Sequence, residues 1–304
     1  MKFLLTGATG FVGPAVVRRL RERKDTFRVV TRDPVSAAQA LGQGLETYPL
    51  SAPVARLFEG VDAVVNLMGE PIFGKRWSPA QKFALRASRV DGTKRLVAAM
   101  KELPPEKRPK VFVSGSAVGF YGARGNEEID ESGSIGVGFL ADVCREWEAA
   151  ALEAEALGVR TVVLRTGVVL GPGGGALAQM LPIFRLGGGG PIGSGSHWFP
   201  WIHRDDLAGL ILHAVDKVEV KGPLNGSAPS PVTNAVFTKA LGKAVRRPAF
   251  FPVPPFALRL AFGESADILT SGQRVLPAKA LATGYSFQYP TIEAALTQIL
   301  PHCV

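Results

Sequence analysis

The chain has 304 residues, 46% of them hydrophobic, which is enough for one large α/β domain or for a domain with a smaller lobe. Two cysteines exclude a disulfide framework, four histidines leave little material for a metal site, and no apolar run approaches the ~18 residues of a membrane span. The net charge of +9 comes from dispersed basic residues, which suits phosphate-bearing small ligands better than nucleic acid. We therefore expect a soluble, cytoplasmic protein with no signal peptide and no metal, nucleic-acid or membrane partner.

Strands and helices alternate along the first half of the chain. We predict strands at 2–6, 27–31, 62–67, 110–115 and 160–166, and helices at 13–23, 79–101 and 139–157. This alternation is typical of an α/β fold with a Rossmann-type, doubly wound parallel sheet. Ligands of such sheets bind beyond the carboxyl ends of the strands.

The second half has a different composition. Glycine is concentrated between residues 167 and 195, so we predict a loop-rich insertion at 171–200 that approaches a ligand or moves as a lid. A helix that ends at about Val215 completes the predicted cofactor domain, 1–215. Residues 222–304 are predicted to form a small C-terminal substrate lobe. The predicted pocket wall over the nicotinamide consists of Trp198, Phe199 and Trp201.

A glycine-rich turn joins the first predicted strand to the first predicted helix, and residues 6–13 read Thr-Gly-Ala-Thr-Gly-Phe-Val-Gly. Gly7 permits a tight turn, Gly10 lets the backbone approach a pyrophosphate, and Gly13 lets the helix pack closely on the strand. The helix N-terminus adds partial positive charge and free N–H groups. The predicted dinucleotide contacts in this turn are Gly7, Thr9, Gly10, Phe11, Val12 and Gly13.

Arg32 lies at the tip of the second predicted strand. NAD-binding folds usually carry an acidic residue there for the ribose hydroxyls, whereas a guanidinium suits the 2′-phosphate of NADP. Asp33 follows and is within reach of a ribose hydroxyl, but its place before Pro34 is more typical of a turn residue. The sequence therefore predicts NADP as the cofactor.

The other predicted cofactor contacts follow the later strands, where a dinucleotide would cross the edge of the sheet. They are Leu67, Met68, Gly69 and Glu70 after the third strand, Arg89 on the long helix, Ser114 and Gly115 in the fourth strand, and Arg165, Gly167 and Val168 at the end of the fifth.

Together these motifs resemble the extended short-chain dehydrogenases/reductases, the group of the nucleotide-sugar epimerases. The glycine turn is accompanied by the segments at 62–67 and 201–206. The closer resemblance is to an atypical branch, the epimerase-family proteins, whose C-terminal domain has no assigned function. It is carried by the segments at 66–72, 114–122, 147–148, 164–171, 189–195 and 224–226 and spans nearly the whole chain. The resemblance implies a Rossmann-type fold, a nicotinamide cofactor and a small-molecule substrate, and it allows a homodimer.

The residues that carry catalysis in typical members are largely replaced. Those proteins use a Tyr that is acidified by a Lys four residues later, with a Ser and an Asn. No Tyr-x-x-x-Lys starts at any of the four tyrosines of this chain. Alignment of Glu148 with the glutamate that often follows the motif puts Leu140 and Cys144 at the Tyr and Lys positions, and Arg89 stands at that of the Asn. The candidate catalytic residues are therefore Ser116, Tyr121 and Arg89, with Glu70, Cys144 and His203 as further candidates. The alternative roles are a wall residue for Tyr121, a hydrogen-bonded helix start for His203 and a buried core position for Cys144.

Three functions stay open at this point. The favoured one is an NADP(H)-dependent oxidoreductase with an unknown substrate, because a simple cofactor sensor would not need the aromatic and glycine-rich second half. The second is a non-catalytic NADP(H)-binding redox sensor or scaffold. A nucleotide-sugar epimerase is the least favoured, because its chemistry normally needs the missing Tyr and Lys.

Overall fold

A seven-stranded parallel sheet forms the centre of the molecule, and the computed structural model describes residues 1–42 and 44–300. The strands are β1 (Lys2–Thr6), β2 (Thr26–Val30), β3 (Glu46–Tyr48), β4 (Ala63–Asn66), β5 (Val111–Ala117), β6 (Glu128–Ile129), β7 (Arg160–Thr166), β8 (Val168–Leu170), β9 (Trp198–Phe199), β10 (Trp201–His203), β11 (Gly222–Gly226), β12 (Val232–Thr233) and β13 (Arg274–Val275). The α-helices are α1 (Gly13–Glu22), α2 (Pro34–Leu41), α3 (Val54–Phe58), α4 (Pro79–Lys101), α5 (Phe139–Leu152), α6 (Gly175–Arg185), α7 (Arg204–Asp216), α8 (Asn234–Ala244), α9 (Pro255–Phe262), α10 (Asp267–Thr270), α11 (Ala278–Ala282) and α12 (Ile292–Ile299).

The order of the central sheet is β3-β2-β1-β4-β5-β7-β11, and every neighbouring pair is parallel. The chain winds outward from β1 to β3 and then returns to the other side of β1, so β1 and β4 flank the point at which the winding reverses. In open α/β sheets the ligand crevice lies at the carboxyl ends of the strands at such a point. The predicted Rossmann-type fold is therefore confirmed.

Side chains of β1 enter both layers of the core because successive residues of a strand point to opposite faces. Phe3 and Leu5 pack with α1 and α7, whereas Leu4 packs on the other face with Leu96 and Met100 of α4. All three β1 side chains are almost completely buried. Burial of this extent stabilises by about 1.5–3 kcal/mol for each large apolar side chain, so the continuous apolar sequence of β1 specifies a central strand.

The structure confirms the predicted strands and helices of the first half, with small changes at their ends. Only the predicted helix at 139–157 changes character, because α5 ends at Leu152 and a 3₁₀ segment continues to Leu157. Short elements that the sequence did not indicate, such as β3 and α2, complete the sheet and its outer layer.

One prediction about the second half needs correction. Residues 222–226 were assigned to the C-terminal lobe, but they form β11, the edge strand of the central sheet, paired with β7. The sheet domain therefore extends beyond the predicted boundary at 215. The insertion predicted at 171–200 contains one α-helix, α6, which continues through Pro182.

The C-terminal lobe has its own core, which includes Trp201, Phe237, Leu241 and Leu296. Phe199 stacks on Phe237 with the ring centroids 4.1 Å apart. No helix in the described part of the chain is long and apolar enough to cross a membrane. Cys303 lies outside the described residues.

Candidate functional site

The glycine turn has the geometry that its sequence predicts. Gly7 adopts a φ of +66°, and a β-carbon there would overlap the carbonyl group of Leu67 at the end of β4. A β-carbon at Gly13 would overlap the backbone of Ala8, so only glycine lets α1 start this close to the turn. A β-carbon at Gly10 would meet only the carbonyl oxygen of Gly7, at 3.2 Å, and Gly10 is exposed. Gly10 therefore leaves its backbone open to a ligand.

The N-terminus of α1 is suited to an anion. The helix follows Val12, has a proline in its first turn, and has neither a side-chain cap nor an acidic residue there. Uncapped N–H groups and the helix dipole favour a negative charge at this end. Thr9 is exposed on the same turn. The combination is typical of a pyrophosphate site.

Phe11 connects the glycine turn to the glycine-rich segment of the second half. Its ring leaves no room for side chains at Gly174 or Gly175, where a β-carbon would lie 2.8 Å and 2.6 Å from ring atoms. The guanidinium of Arg204 lies 5.2 Å from the centre of the ring and donates to the carbonyl of Pro172, at 3.1 Å. Arg204 was not among the predicted site residues, although it lies in the segment at 201–206 that carries the resemblance. The segment at 171–175 is thus packed against the predicted cofactor turn.

Arg32 is exposed at the carboxyl end of β2 and makes no hydrogen bond or ion pair within the described residues. Asp33 is already engaged as the N-cap of α2, because its carboxylate accepts from the N–H groups of Val35 and Ser36 and from the Ser36 hydroxyl, at 2.5 Å. The Ser36 hydrogen bonds hold the pKa of Asp33 below its ordinary value. The interpretation of Asp33 as a turn residue is confirmed, and Arg32 is left available for a ligand.

Asn66 at the end of β4 joins the carboxyl ends of three strands. Its Oδ1 accepts from the Thr6 hydroxyl of β1 at 2.6 Å, and its Nδ2 donates to Thr93 of α4 at 2.9 Å and to Ser114 of β5 at 3.3 Å. Trp147 of α5 also donates to Thr93, at 3.0 Å. These side chains are buried, so the network fixes the floor of the crevice. The hydroxyl of Ser114 is enclosed in this network and is not available to a cofactor.

The segment that follows β4 is fixed to the long helix α4. The Met68 side chain packs on Gly92, the N–H of Glu70 donates to the Ser88 hydroxyl at 2.9 Å, and Arg89 donates to the carbonyl of Glu70 at 3.0 Å. Leu67 and Met68 are half-buried, and Gly69 is exposed above them. These backbone positions stay candidates for cofactor contact.

Arg89 is half-buried beside the segment that follows β4. Besides Glu70 it donates to the carbonyl of Leu85, at 3.0 Å, and its guanidinium lies 5.5 Å from the centre of the Trp147 ring. Burial lowers the pKa of Arg89. The Glu70 carboxylate pairs with Lys75 at 2.9 Å instead, and this ion pair lowers the pKa of Glu70.

The structure corrects the roles predicted for Ser116 and Arg165. Arg165 forms a two-point ion pair with Glu148, with both contacts at 2.8 Å, and the Ser116 hydroxyl donates to the same carboxylate at 2.6 Å. All three residues are at most 5% exposed. The Arg165 guanidinium therefore balances a buried carboxylate rather than facing a cofactor, and the Ser116 proton is held inside the protein.

Tyr121 is a core residue, which corrects both the predicted acid and the alternative of a wall residue. Its side chain is fully buried, and its hydroxyl donates to Asn225 of β11 at 2.7 Å and accepts from Arg165 at 3.0 Å. Burial raises the pKa of this phenol. Asn225 in turn donates to the carbonyl of Leu276, at 2.9 Å, so Tyr121 helps to join the sheet to the C-terminal lobe.

The further candidates also have structural roles. His203 is buried, caps α7 by accepting from the N–H of Asp205 at 3.1 Å, and shares a hydrogen bond with Gln298 at 2.9 Å. Cys144 is buried and donates to the carbonyl of Ala117, and desolvation raises the pKa of its thiol to about 11. Trp201, predicted as a pocket wall, lies in the core of the C-terminal lobe.

Positions Gly167 and Val168 lie beyond the end of β7. A β-carbon at Gly167 would lie 2.7 Å from the carbonyl oxygen of Pro200, and the N–H of Gly167 donates to Gly226 at 2.9 Å. Both residues are half-buried at the edge of the crevice, where cofactor contact stays a prediction. With the sheet topology, the glycine turn and the uncapped helix, this crevice defines a Rossmann-type dinucleotide-binding protein.

Comparison with known proteins gives the family. The family model of the NAD dependent epimerase/dehydratase family matches residues 3–225, and a domain of unknown function, DUF1731, matches residues 253–299. An Arabidopsis thaliana protein, the chloroplastic homolog of epimerase family protein SDR39U1, is 42% identical over 99% of this chain and 87% of its own. Human epimerase family protein SDR39U1 is 41% identical over 99% of this chain and all of its own.

A crystal structure of human SDR39U1 (isoform 2) with NADPH superimposes with a TM-score of 0.90, at 39% identity, over 99% of both chains. The chain therefore belongs to the NAD dependent epimerase/dehydratase family, within the group of the epimerase family proteins. The resemblance seen in the sequence is confirmed.

Proposed function

We propose that this protein is an NADP(H)-dependent oxidoreductase of the atypical short-chain dehydrogenase/reductase type that acts on a small molecule. One observation carries the proposal, namely the whole-length similarity to SDR39U1, whose human crystal structure contains NADPH. When bound, NADPH supplies a hydride from its nicotinamide ring.

The residues of the crevice fit this cofactor. Gly10 and the N-terminus of α1 would hold the pyrophosphate, and the exposed Arg32 would hold the 2′-phosphate by charge-assisted hydrogen bonds. The other half of the dinucleotide would then extend over the ends of β4, β5 and β7. The residues proposed to line that half are Leu67, Met68, Gly69, Gly167 and Val168, whereas the predicted contact Gly115 is buried against the Trp147 ring.

Substitution of Arg32 by alanine tests the phosphate assignment. We expect R32A to weaken NADPH binding by roughly 10–100-fold and to leave NADH binding nearly unchanged, because only NADPH carries the 2′-phosphate. Isothermal titration with both cofactors measures this difference. Lys239→Ala, an exposed position on α8, controls for the loss of one positive charge. Equal losses for NADPH and NADH would contradict the assignment.

The chemistry is tested by anaerobic incubation of the protein with NADPH and a panel of carbonyl compounds, followed through the absorbance of the reduced cofactor. Oxidation that depends on one compound, with a product of matching stoichiometry, supports the oxidoreductase. Tight NADPH binding without oxidation by any compound favours the second candidate, a redox sensor or scaffold. The burial of Ser116 and Tyr121 in structural hydrogen bonds is the observation that favours this candidate.

A nucleotide-sugar epimerase is the third and least favoured candidate, because the Tyr–Lys pair is missing. Interconversion of a nucleotide sugar without net consumption of cofactor would establish it. A homodimer, a cytoplasmic location and the lack of nucleic-acid or membrane partners also stay predictions. Light scattering tests the homodimer, and cell fractionation tests the location. The location matters because the Arabidopsis relative is named chloroplastic.

A further inference from the structure

Three apolar side chains lie beyond the carboxyl ends of β4 and β5. Leu140, which the resemblance places at the position of the family tyrosine, is in the first turn of α5, and a β-carbon at Gly119 after β5 would lie 3.3 Å from its Cβ. The Phe139 ring packs edge-on against the Trp77 ring, which follows β4, with the centroids 5.3 Å apart. All three side chains are half-buried, so part of each stays accessible to a ligand. We call Trp77, Phe139 and Leu140 the apolar wall.

The C-terminal lobe is joined to the sheet domain beside this wall. Lys82 of α4 pairs with Glu264 of the lobe at 2.6 Å, and its ammonium lies 5.1 Å from the centre of the Phe139 ring. Arg76 donates to the backbone carbonyl of Leu260 in α9. The apolar wall therefore lies where the two parts of the molecule meet, which is a preferred place for small-molecule sites.

The hydroxyl and thiol groups described near the end of β5 are used inside the protein. The Ser116 hydroxyl donates to Glu148, and the Tyr121 hydroxyl donates to Asn225. The buried Cys144 thiol donates to a backbone carbonyl, and burial raises its pKa to about 11. A substrate at the apolar wall therefore has to accept a hydride without a proton from these groups.

We propose that the apolar wall binds the ring of a quinone and that this quinone is the hydride acceptor. This inference rests on the proposed function, because it takes the nicotinamide half of the cofactor to lie over β4 and β5. The hydride leaves the nicotinamide ring and bonds to one quinone oxygen, while the ring electrons move onto the other oxygen. That oxygen becomes a phenolate, and water supplies its proton. NADPH, the quinone and one proton thus yield NADP⁺ and a hydroquinone.

A quinone fits this site by its chemistry and by its ring. Phenols have a pKa of about 10, so the phenolate product needs no protein acid at the moment of hydride transfer. An ordinary ketone would give an alkoxide, which is a much stronger base, and its reduction would need such an acid. Flat aromatic molecules pack well on aromatic side chains, and a quinone has no charge that would need a buried partner.

1,4-Naphthoquinone and 1-tetralone are suitable probes because both are apolar bicyclic compounds of similar size, whereas only the first gives a phenolate. Binding is measured by saturation-transfer NMR with the protein saturated with NADP⁺, which has no hydride to transfer. We expect both probes to bind and Phe139→Ala to weaken both by roughly 5–10-fold. Phe250→Ala removes a ring that is 66% exposed between α8 and α9, and it should change neither affinity. The NADPH affinity of each variant is measured first, so a misfolded variant is recognised.

Turnover is then measured anaerobically with NADPH, after subtraction of the rate without protein. We expect reduction of 1,4-naphthoquinone but not of 1-tetralone, a kcat that is constant between pH 6 and pH 9, and a solvent deuterium isotope effect close to unity, because no protein proton moves with the hydride. Three outcomes would overturn the inference: equal effects of Phe139→Ala and Phe250→Ala on binding, a solvent isotope effect well above unity, or oxidation of NADPH by another carbonyl compound but not by the quinone. Oxidation by no carbonyl compound at all would instead refute the proposed function.

Discussion

Replacing Glu148 with glutamine would remove the carboxylate at the centre of the buried polar cluster. Glu148 accepts three hydrogen bonds, two from Arg165 at 2.8 Å and one from Ser116 at 2.6 Å. The glutamine amide would turn an N–H₂ group toward a guanidinium that can only donate. The Arg165 cation, 4% exposed, would then have no counter-ion. We expect E148Q to lower the free energy of unfolding by about 3–5 kcal/mol, the usual cost of breaking a buried ion pair.

Urea denaturation followed by circular dichroism measures this loss. Asp142→Asn on the same helix is the matched control, because it removes one carboxylate from an exposed pair with Arg145, at 3.1 Å. Exposed pairs of this kind are worth about 0–1 kcal/mol, so D142N should unfold nearly like the unmodified protein. The double variant E148L/R165M, which removes both charges, should recover part of the loss of E148Q.

A loss below about 1 kcal/mol for E148Q would refute the reasoning, because it would mean that water reaches the pair and screens it. The cluster would then be open to the crevice, and Ser116 and Arg165 would again be candidates for cofactor contact. The experiment therefore decides the role of these residues as well as their contribution to stability.

Three further predictions concern other parts of the site. Gly13→Ala should lower the free energy of unfolding by about 1–3 kcal/mol and weaken NADPH binding, because its β-carbon overlaps the backbone of Ala8. Gly10→Ala should mainly weaken NADPH binding. Urea denaturation measures the first effect and titration calorimetry the second. Tyr121→Phe should lower the free energy of unfolding by about 1–3 kcal/mol, measured in urea, since it leaves a buried amide oxygen without its donor. Burial lowers the pKa of His203, so its contribution to stability is present above the unfolded pKa of about 6.5 and is lost as the pH falls. His203→Asn can keep the cap of α7, so this variant should show a smaller change of urea midpoint between pH 7 and pH 5. The same pH dependence in the variant and in the unmodified protein would contradict this.

The sequence was most informative where the local structure depends on residues that are adjacent in the chain. The glycine turn and the predicted strand at 2–6 are local signals, and the structure has both as predicted. The positions of Arg32 and Asp33 could also be predicted locally, because the end of a strand and an Asp-Pro pair are recognised from adjacent residues. The topology then follows from the alternation of strands and helices.

The parts that the sequence did not reveal depend on residues far apart in the chain. β11 reads Gly-Pro-Leu-Asn-Gly, a poor strand sequence, and it is a strand because its backbone pairs with β7. Tyr121 was open to interpretation as an acid because its partner Asn225 lies 104 residues away. One available signal was Arg165 itself, because a charged residue within an apolar strand requires a buried partner.

The loss of the Tyr–Lys pair is better understood as a relocation of positive charge than as the loss of a residue. Cys144, which the resemblance places where typical members carry the lysine, is buried and lies near the Arg89 guanidinium. A lysine at 144 and an arginine at 89 would place two cations together in a poorly solvated space, where like charges repel strongly. A lysine at 144 would therefore be driven toward its neutral amine, because arginine stays protonated at any ordinary pH. It follows that restoring the family residue as Cys144→Lys would require a neutral side chain at position 89.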